Sequence, residues 1–395
     1  MMVAVLLLAM AFPYLTILYL KKTNVIIWWV YFFAVAGKAQ LLIIVPIILA
    51  TDSLSVNLNY YYLLLSCYYF FISMLIIGIY HLVKSGRTEE YFPNQLRSYG
   101  STVMLGFLTF ICFSILLLNS NFIFLLDPRR GYQYYREGVG LFWALYITGL
   151  SAAFYFLCIR RKITVLKILL FSYLFYLTGS KQLVVVVFIY SYVAYYINFG
   201  AISRSVTLSL GVASVILFLI LFGQFGADET LINRLTQYFD FLINASRVFD
   251  DYAANQLDFH FGNIWVSSFW SYVPRVLYPD KPFAYGATYV LEMYYPGMAE
   301  TGHTPSFGPL TTEFVDFGWF APIVVALTDL NTLIKIFGLV ILMKGRVFDT
   351  NPMIQLVVII SMTPAFGFHI PMPITFILAG LMVTMLIKKR GRFLL

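Results

Sequence analysis

Charge is what this chain has least of. Of its 395 residues only 11% are Asp, Glu, Lys or Arg, and four are His. An ordinary soluble domain carries about 25% charged residues, so composition excludes a soluble globular chain. Cysteine is scarcer still: Cys67, Cys112 and Cys158 all lie in apolar stretches, which gives no disulfide framework and no zinc ligand set. No Walker A sequence, no GxGxxG after a strand, no HExxH, CxxC or GxSxG segment occurs, and an outward DxD pair is missing. ATP hydrolysis, nicotinamide chemistry and zinc hydrolysis therefore have no support, and neither a cofactor nor a metal is expected.

What fills the chain instead is hydrocarbon. Hydrophobic residues make up 61% and the mean hydropathy is +0.83. Apolar runs recur at the length that crosses a bilayer, about 20 residues for a helix. They are continuous rather than alternating, which excludes a β-barrel. The reading is an all-α, polytopic transmembrane helical bundle of about eleven spans. They cover residues 2–20, 25–50, 59–80, 100–119, 139–158, 164–179, 183–199, 206–223, 318–342, 352–368 and 373–387. The first run has no basic segment before it and is followed by Lys21-Lys22, so it reads as a span rather than a cleaved leader.

The net charge of +8 does not point to nucleic acid, because the cations sit in short connections. Lys21-Lys22, Lys84, Arg87, Arg97, Arg160-Arg161-Lys162, Arg204, Lys344, Arg346, Lys388-Lys389-Arg390 and Arg392 fall on one side if the spans alternate. The positive-inside rule makes that side cytoplasmic. The whole chain, 1–395, is described as one integral-membrane domain, with residues 224–316 as a large outward loop inserted between spans. More than half of the eighteen acidic residues lie in that loop. Its first part, to about Gln256, has helical apolar spacing (Leu231, Leu235, Phe239, Leu242, Val248) and is expected to lie at the membrane surface. From Val273 onward Pro and Gly are dense, which predicts turns and irregular backbone.

Cations that break the orientation rule are the informative ones. Arg129, Arg130 and Arg136 occupy the outward loop LDPRRGYQYYREG, Lys181 a short TGSKQ turn, and Arg234, Arg247, Arg275 and Lys281 the large loop. Arg offers paired donors to phosphate oxygens and Lys a compact point charge, which suits a pyrophosphate headgroup. The plain alternative for each is snorkelling to lipid phosphate. Glu300, His303 and Glu313 lie within one short stretch, and His369 sits where span ten reaches the outer face. A glycosyl transfer to a hydroxyl needs a general base and cations for the leaving phosphate, and these residues supply both types. Asp316, one helical turn after Glu313, has the further reading of a span starter. His260 stands apart, with no cluster around it.

Three passages carry a family resemblance: TGSKQLVVVVFIYSYVAYY, VPRVLYPDKPFAYG and GPLTTEFVDFGWFAPIV. With the loop layout, they resemble the Wzy-type oligosaccharide repeat-unit polymerases, which are related to the O-antigen ligases. Lys181 departs from that pattern, since family members often carry Arg there. The resemblance implies a GT-C-like glycosyltransferase of the bacterial inner membrane with its active site facing the periplasm. It would polymerise undecaprenyl-pyrophosphate-linked oligosaccharides in lipopolysaccharide or capsule biosynthesis, inverting and without a metal. Its partners would be those substrates, membrane lipids and a chain-length-regulating co-polymerase. By the same likeness Lys181 and Arg275 would hold pyrophosphate and Glu313 would belong to the active site. An O-antigen ligase and a lipid-linked oligosaccharide flippase stay open as alternatives.

Overall fold

The computed structural model describes residues 11–20, 31, 58–84, 99–119, 122, 125, 140–159, 164–177, 184, 187, 191, 240–273, 277–298 and 307–330. Every element among them is helical. The chain divides into two compact units: residues 1–87 with 228–333, and residues 88–227 with 334–395.

In the second unit, Tyr99–Asn119 and Gly140–Ile159 pack along each other, followed by Val165–Tyr176. Each falls in a run expected as a span, though Val165–Tyr176, at 12 residues, is shorter than the length that crosses a bilayer. Gly149 faces Thr109 so closely that a Cβ would run into the threonine hydroxyl, the small-residue contact by which apolar helices approach. Phe113 and Tyr146 stack at 5.4 Å, Tyr146 Oη donates to Leu174 O at 3.1 Å, and Phe154 meets Phe171 at 5.3 Å. Thr164 caps the third helix by accepting from Lys167 N.

The first unit contains two helices long and apolar enough to cross a membrane, Asn59–Gly78 within Leu58–Lys84 and Pro309–Leu330. The second begins earlier than the hydropathy pattern indicated. Pro309 takes the first helical position, where its missing N–H is no loss. Gly318, at φ 57°, then interrupts the helix with one 3-10 turn before it resumes at Ala321. Glu313 and Asp316 therefore stand on a short helix, Pro309–Phe317, leading into the apolar segment.

Three loop helices gather around these two: Asp240–Ala253, Asn263–Ser267 and Ala287–Tyr294. Asp240–Ala253 has the expected amphipathic spacing, but its apolar face is covered by protein rather than laid on a membrane. Leu242, Ala245, Val248 and Phe249 are wholly buried, each large side chain contributing about 1.5–3 kcal/mol when withdrawn from water. Phe314 is the centre of the packing, with Phe249, Tyr252, Phe259 and Trp319 ring centroids 5.1–5.6 Å away. Tyr60, at the start of the long helix, touches Phe249, Tyr252 and Trp319. The described part of the loop thus shares a core with its supporting helices.

Candidate functional site

Asp316 holds the site together. Its side chain is 1% exposed. One carboxylate oxygen accepts from Gly262 N at 2.8 Å and Ile264 N at 3.2 Å, the other from Trp265 N at 2.8 Å. Next to these, His260 N donates to Val315 O at 3.2 Å and Phe261 N to Asp316 O at 2.6 Å. Asn263–Ser267 has Gly262 at its N-cap and no cap of its own; Asp316 provides that cap from another element. Charge-assisted bonds to backbone N–H groups are among the stronger ones. Asp316 therefore starts a helix, though not its own, and the sequence reading of it as a span starter is corrected.

One helical turn earlier stands Glu313, half-buried. Among the described residues its carboxylate has neither a hydrogen bond nor an ion pair. The two acids share one face of Pro309–Phe317, so the helix bonded through Asp316 fixes the direction from which Glu313 projects. Thr311, also on this helix, is fully buried with its hydroxyl unpartnered.

Lys281 is nearly buried, its amine donating to Val273 O at 3.1 Å and lying 4.5 Å from the Tyr285 ring centroid. These contacts tie Lys281 back to Val273. The following turn is tied down at Gly286 (φ 55°), whose N–H donates to Ser267 Oγ at 2.8 Å. A Cβ there would stand 3.1 Å from Ser268 Cβ, so the close approach needs glycine as much as the positive φ does.

Arg247 is exposed, and its guanidinium donates to Tyr295 Oη at 2.6 Å. That hydroxyl donates in turn to the buried Asn244 at 2.6 Å. Beside it, burial pushes the Tyr294 phenol above its ordinary range, and its hydrogen bond to the Asp251 carboxylate adds to the shift. The end of Ala287–Tyr294 is thus fastened to Asp240–Ala253 through polar groups. Sequence reasoning singled out Arg247, Lys281 and Glu313 but missed Asn244 and the partners of Asp316. Only the uncapped FGN start of Asn263–Ser267 hints that a cap must come from elsewhere.

The other candidates (Arg129, Arg130, Arg136, Lys181, Arg275, Glu300, His303 and His369) lie outside the described residues. So do the expected spans beyond residue 330. Among the described residues no cluster of His, Cys, Asp or Glu has the makings of a metal site.

A chain of membrane composition whose described elements are all helical, with two described helices long and apolar enough to cross a bilayer and a packed loop beside them, is the class these features define. Comparison with known proteins narrows it. The chain is similar to two proteins named O-antigen polymerase, from Salmonella typhimurium and Salmonella typhi. Each is 27% identical over 259 residues, 64% of this chain and 62% of the relative's own length. The resemblance to the Wzy-type polymerases carried by the three passages is borne out by these relatives. No protein-family model matches the chain, and no solved structure matches it.

Proposed function

We propose that this chain polymerises lipid-linked oligosaccharide repeat units into O-antigen or capsular polysaccharide. It acts as an integral-membrane glycosyltransferase of the GT-C type on the periplasmic face of the bacterial inner membrane. The observation that carries the reading beyond the likeness to O-antigen polymerases is Glu313. A half-buried carboxylate with no partner among the described residues, beside one that is fully bonded, has the free acceptor oxygens a general base requires.

In this mechanism the acceptor sugar hydroxyl attacks the anomeric carbon of the donor unit as its proton passes to Glu313. The bond from that carbon to the phosphate oxygen breaks, its electron pair leaving with undecaprenyl pyrophosphate, and the configuration inverts. No metal is called for, because cations neutralise the leaving group. Arg275 is assigned to the pyrophosphate. Lys281, whose amine is held by Val273 O, and Arg247, exposed at the loop surface, are assigned to substrate contact. Glu300 and His303 are further proton-transfer candidates. Arg129, Arg130, Arg136, Lys181 and His369 are assigned to substrate contact on sequence grounds alone. A chain-length-regulating co-polymerase is the expected protein partner.

The test is reconstitution of the purified chain with undecaprenyl-pyrophosphate-linked repeat units and no other acceptor. Ladders of growing glycan on the lipid carrier support the reading. Transfer that occurs only when a lipid A-core acceptor is added makes the chain a ligase, and movement of intact units across the vesicle wall without new glycosidic bonds makes it a flippase.

A further inference from the structure

Phe261 is 83% exposed and yet sits at φ 50°, a backbone region that a bulky L-residue seldom enters. The strain is held in place from outside. Phe261 N is bonded to Asp316 O, and the Asp316 carboxylate grips the N–H groups of the residues that follow. Backbone strain maintained by such a fixture is a reason to look for function at the residue it displays.

What surrounds Phe261 indicates the medium. Between Asp258 and Arg275 there is no charged side chain, although this loop holds most of the acids of the chain. Asn263–Ser267 buries Ile264 inward and leaves Val266 62% exposed, with Phe269 in the next turn 60% exposed. This apolar edge adjoins the start of a helix able to cross a membrane. A Cβ on Gly262 would stand 3.4 Å from the Phe317 ring, and one on Gly318 would stand 3.3 Å from that of Phe259. Trp319 and Phe320, 42% and 69% exposed, follow directly in that helix, at the position of an interfacial aromatic belt.

We infer that the segment 261–269 is a membrane wedge: Phe261, Val266 and Phe269 enter the outer leaflet beside the entry of Pro309–Leu330. The occupant of this edge is lipid because the edge is continuous with the exposed face of a spanning helix and carries no charge to pair with a protein rim. The wedge would hold the loop, and Glu313 with it, at the depth where a lipid-borne phosphate meets water. The inference rests on the membrane-spanning reading of Pro309–Leu330.

The test is power saturation of nitroxides on the full chain in proteoliposomes, with Cys67, Cys112 and Cys158 replaced by Ala. Labels go singly on Phe261→Cys, Val266→Cys, Asn255→Cys and Leu327→Cys. Expected is an oxygen-to-nickel-chelate accessibility ratio at 261 and 266 that follows the lipid-facing Leu327 site, several-fold above the aqueous Asn255 site. Val266 lies in regular helix, so its label reports even if the strained Phe261 position does not tolerate change. If 261 and 266 follow Asn255 while Leu327 reports lipid, the wedge is overturned and the span stands. Shielding of 261 and 266 from both relaxants means a protein partner and also overturns it. If Leu327 itself is aqueous, the span reading falls and the wedge with it.

Discussion

Glu313 and Asp316 are acids one helical turn apart, and their surroundings divide the labour between them. Asp316 spends both oxygens on backbone N–H groups of residues 262–265, whereas Glu313 has no such bonds among the described residues. Glu313→Gln keeps the shape and removes the base, so chain growth should fall by about 10²–10⁴-fold with the amount of inserted protein unchanged. Wild-type glycan ladders from that variant would remove Glu313 from the mechanism. Asp316→Ala should behave differently. It strands buried donors, at about 1–3 kcal/mol for each one left unmet, and the measurement is a drop in thermal stability in detergent accompanying any loss of activity. Glu313 was legible in the sequence as a candidate because it shares a short Gly- and Pro-rich stretch with Glu300 and His303. The aspartate's role was not, because its partners lie more than fifty residues upstream and nothing local announces a cap shared across that distance. Lys281 was legible as a cation but not as a buried one, since only the fold shows Val273 O within reach of its amine.

At the scale of elements, the long apolar helices were the readable part. A run of about 20 hydrocarbon-compatible residues has little choice but helix, and Leu58–Lys84, Tyr99–Asn119 and Gly140–Ile159 follow the expected ranges closely. The amphipathic loop helix was readable as a helix but not by its neighbours. Hydrophobic periodicity gives a face without saying what covers it, and Asp240–Ala253 turns that face to Phe314 and the long helix rather than to lipid. Two glycines make the packing testable. Gly149→Leu should force Tyr99–Asn119 and Gly140–Ile159 apart at Thr109, lowering the yield of folded protein in a size-exclusion assay. A monodisperse, undiminished peak would show that this contact is dispensable. Gly318→Ala meets both a positive φ and the Phe259 ring at 3.3 Å. Its backbone strain alone costs about 1–3 kcal/mol, read as a lower melting temperature in the same assay.

For the molecule as a whole, the distribution of charge makes a claim about sidedness that the reaction depends on. Lys and Arg concentrate in the short connections, so the positive-inside rule would put the loop, and with it the proposed chemistry, outside. In the proposed reaction donor and acceptor are both carried on lipid, and a base held beside the entry of Pro309–Leu330 would meet them without drawing a sugar through the bilayer. A single cysteine can test this orientation. Asn255 is exposed in the loop and Lys389 lies in the basic C-terminal run, two positions that the rule assigns to opposite faces. In spheroplasts of a strain carrying the otherwise cysteine-free chain, a membrane-impermeant maleimide should modify Asn255→Cys at once and Lys389→Cys only after permeabilisation. The reverse pattern would put the loop in the cytoplasm, away from the face where polymerisation is proposed. The orientation and the chemical proposal would then fall together, even though the Asp316 cap and the aromatic core would be unchanged.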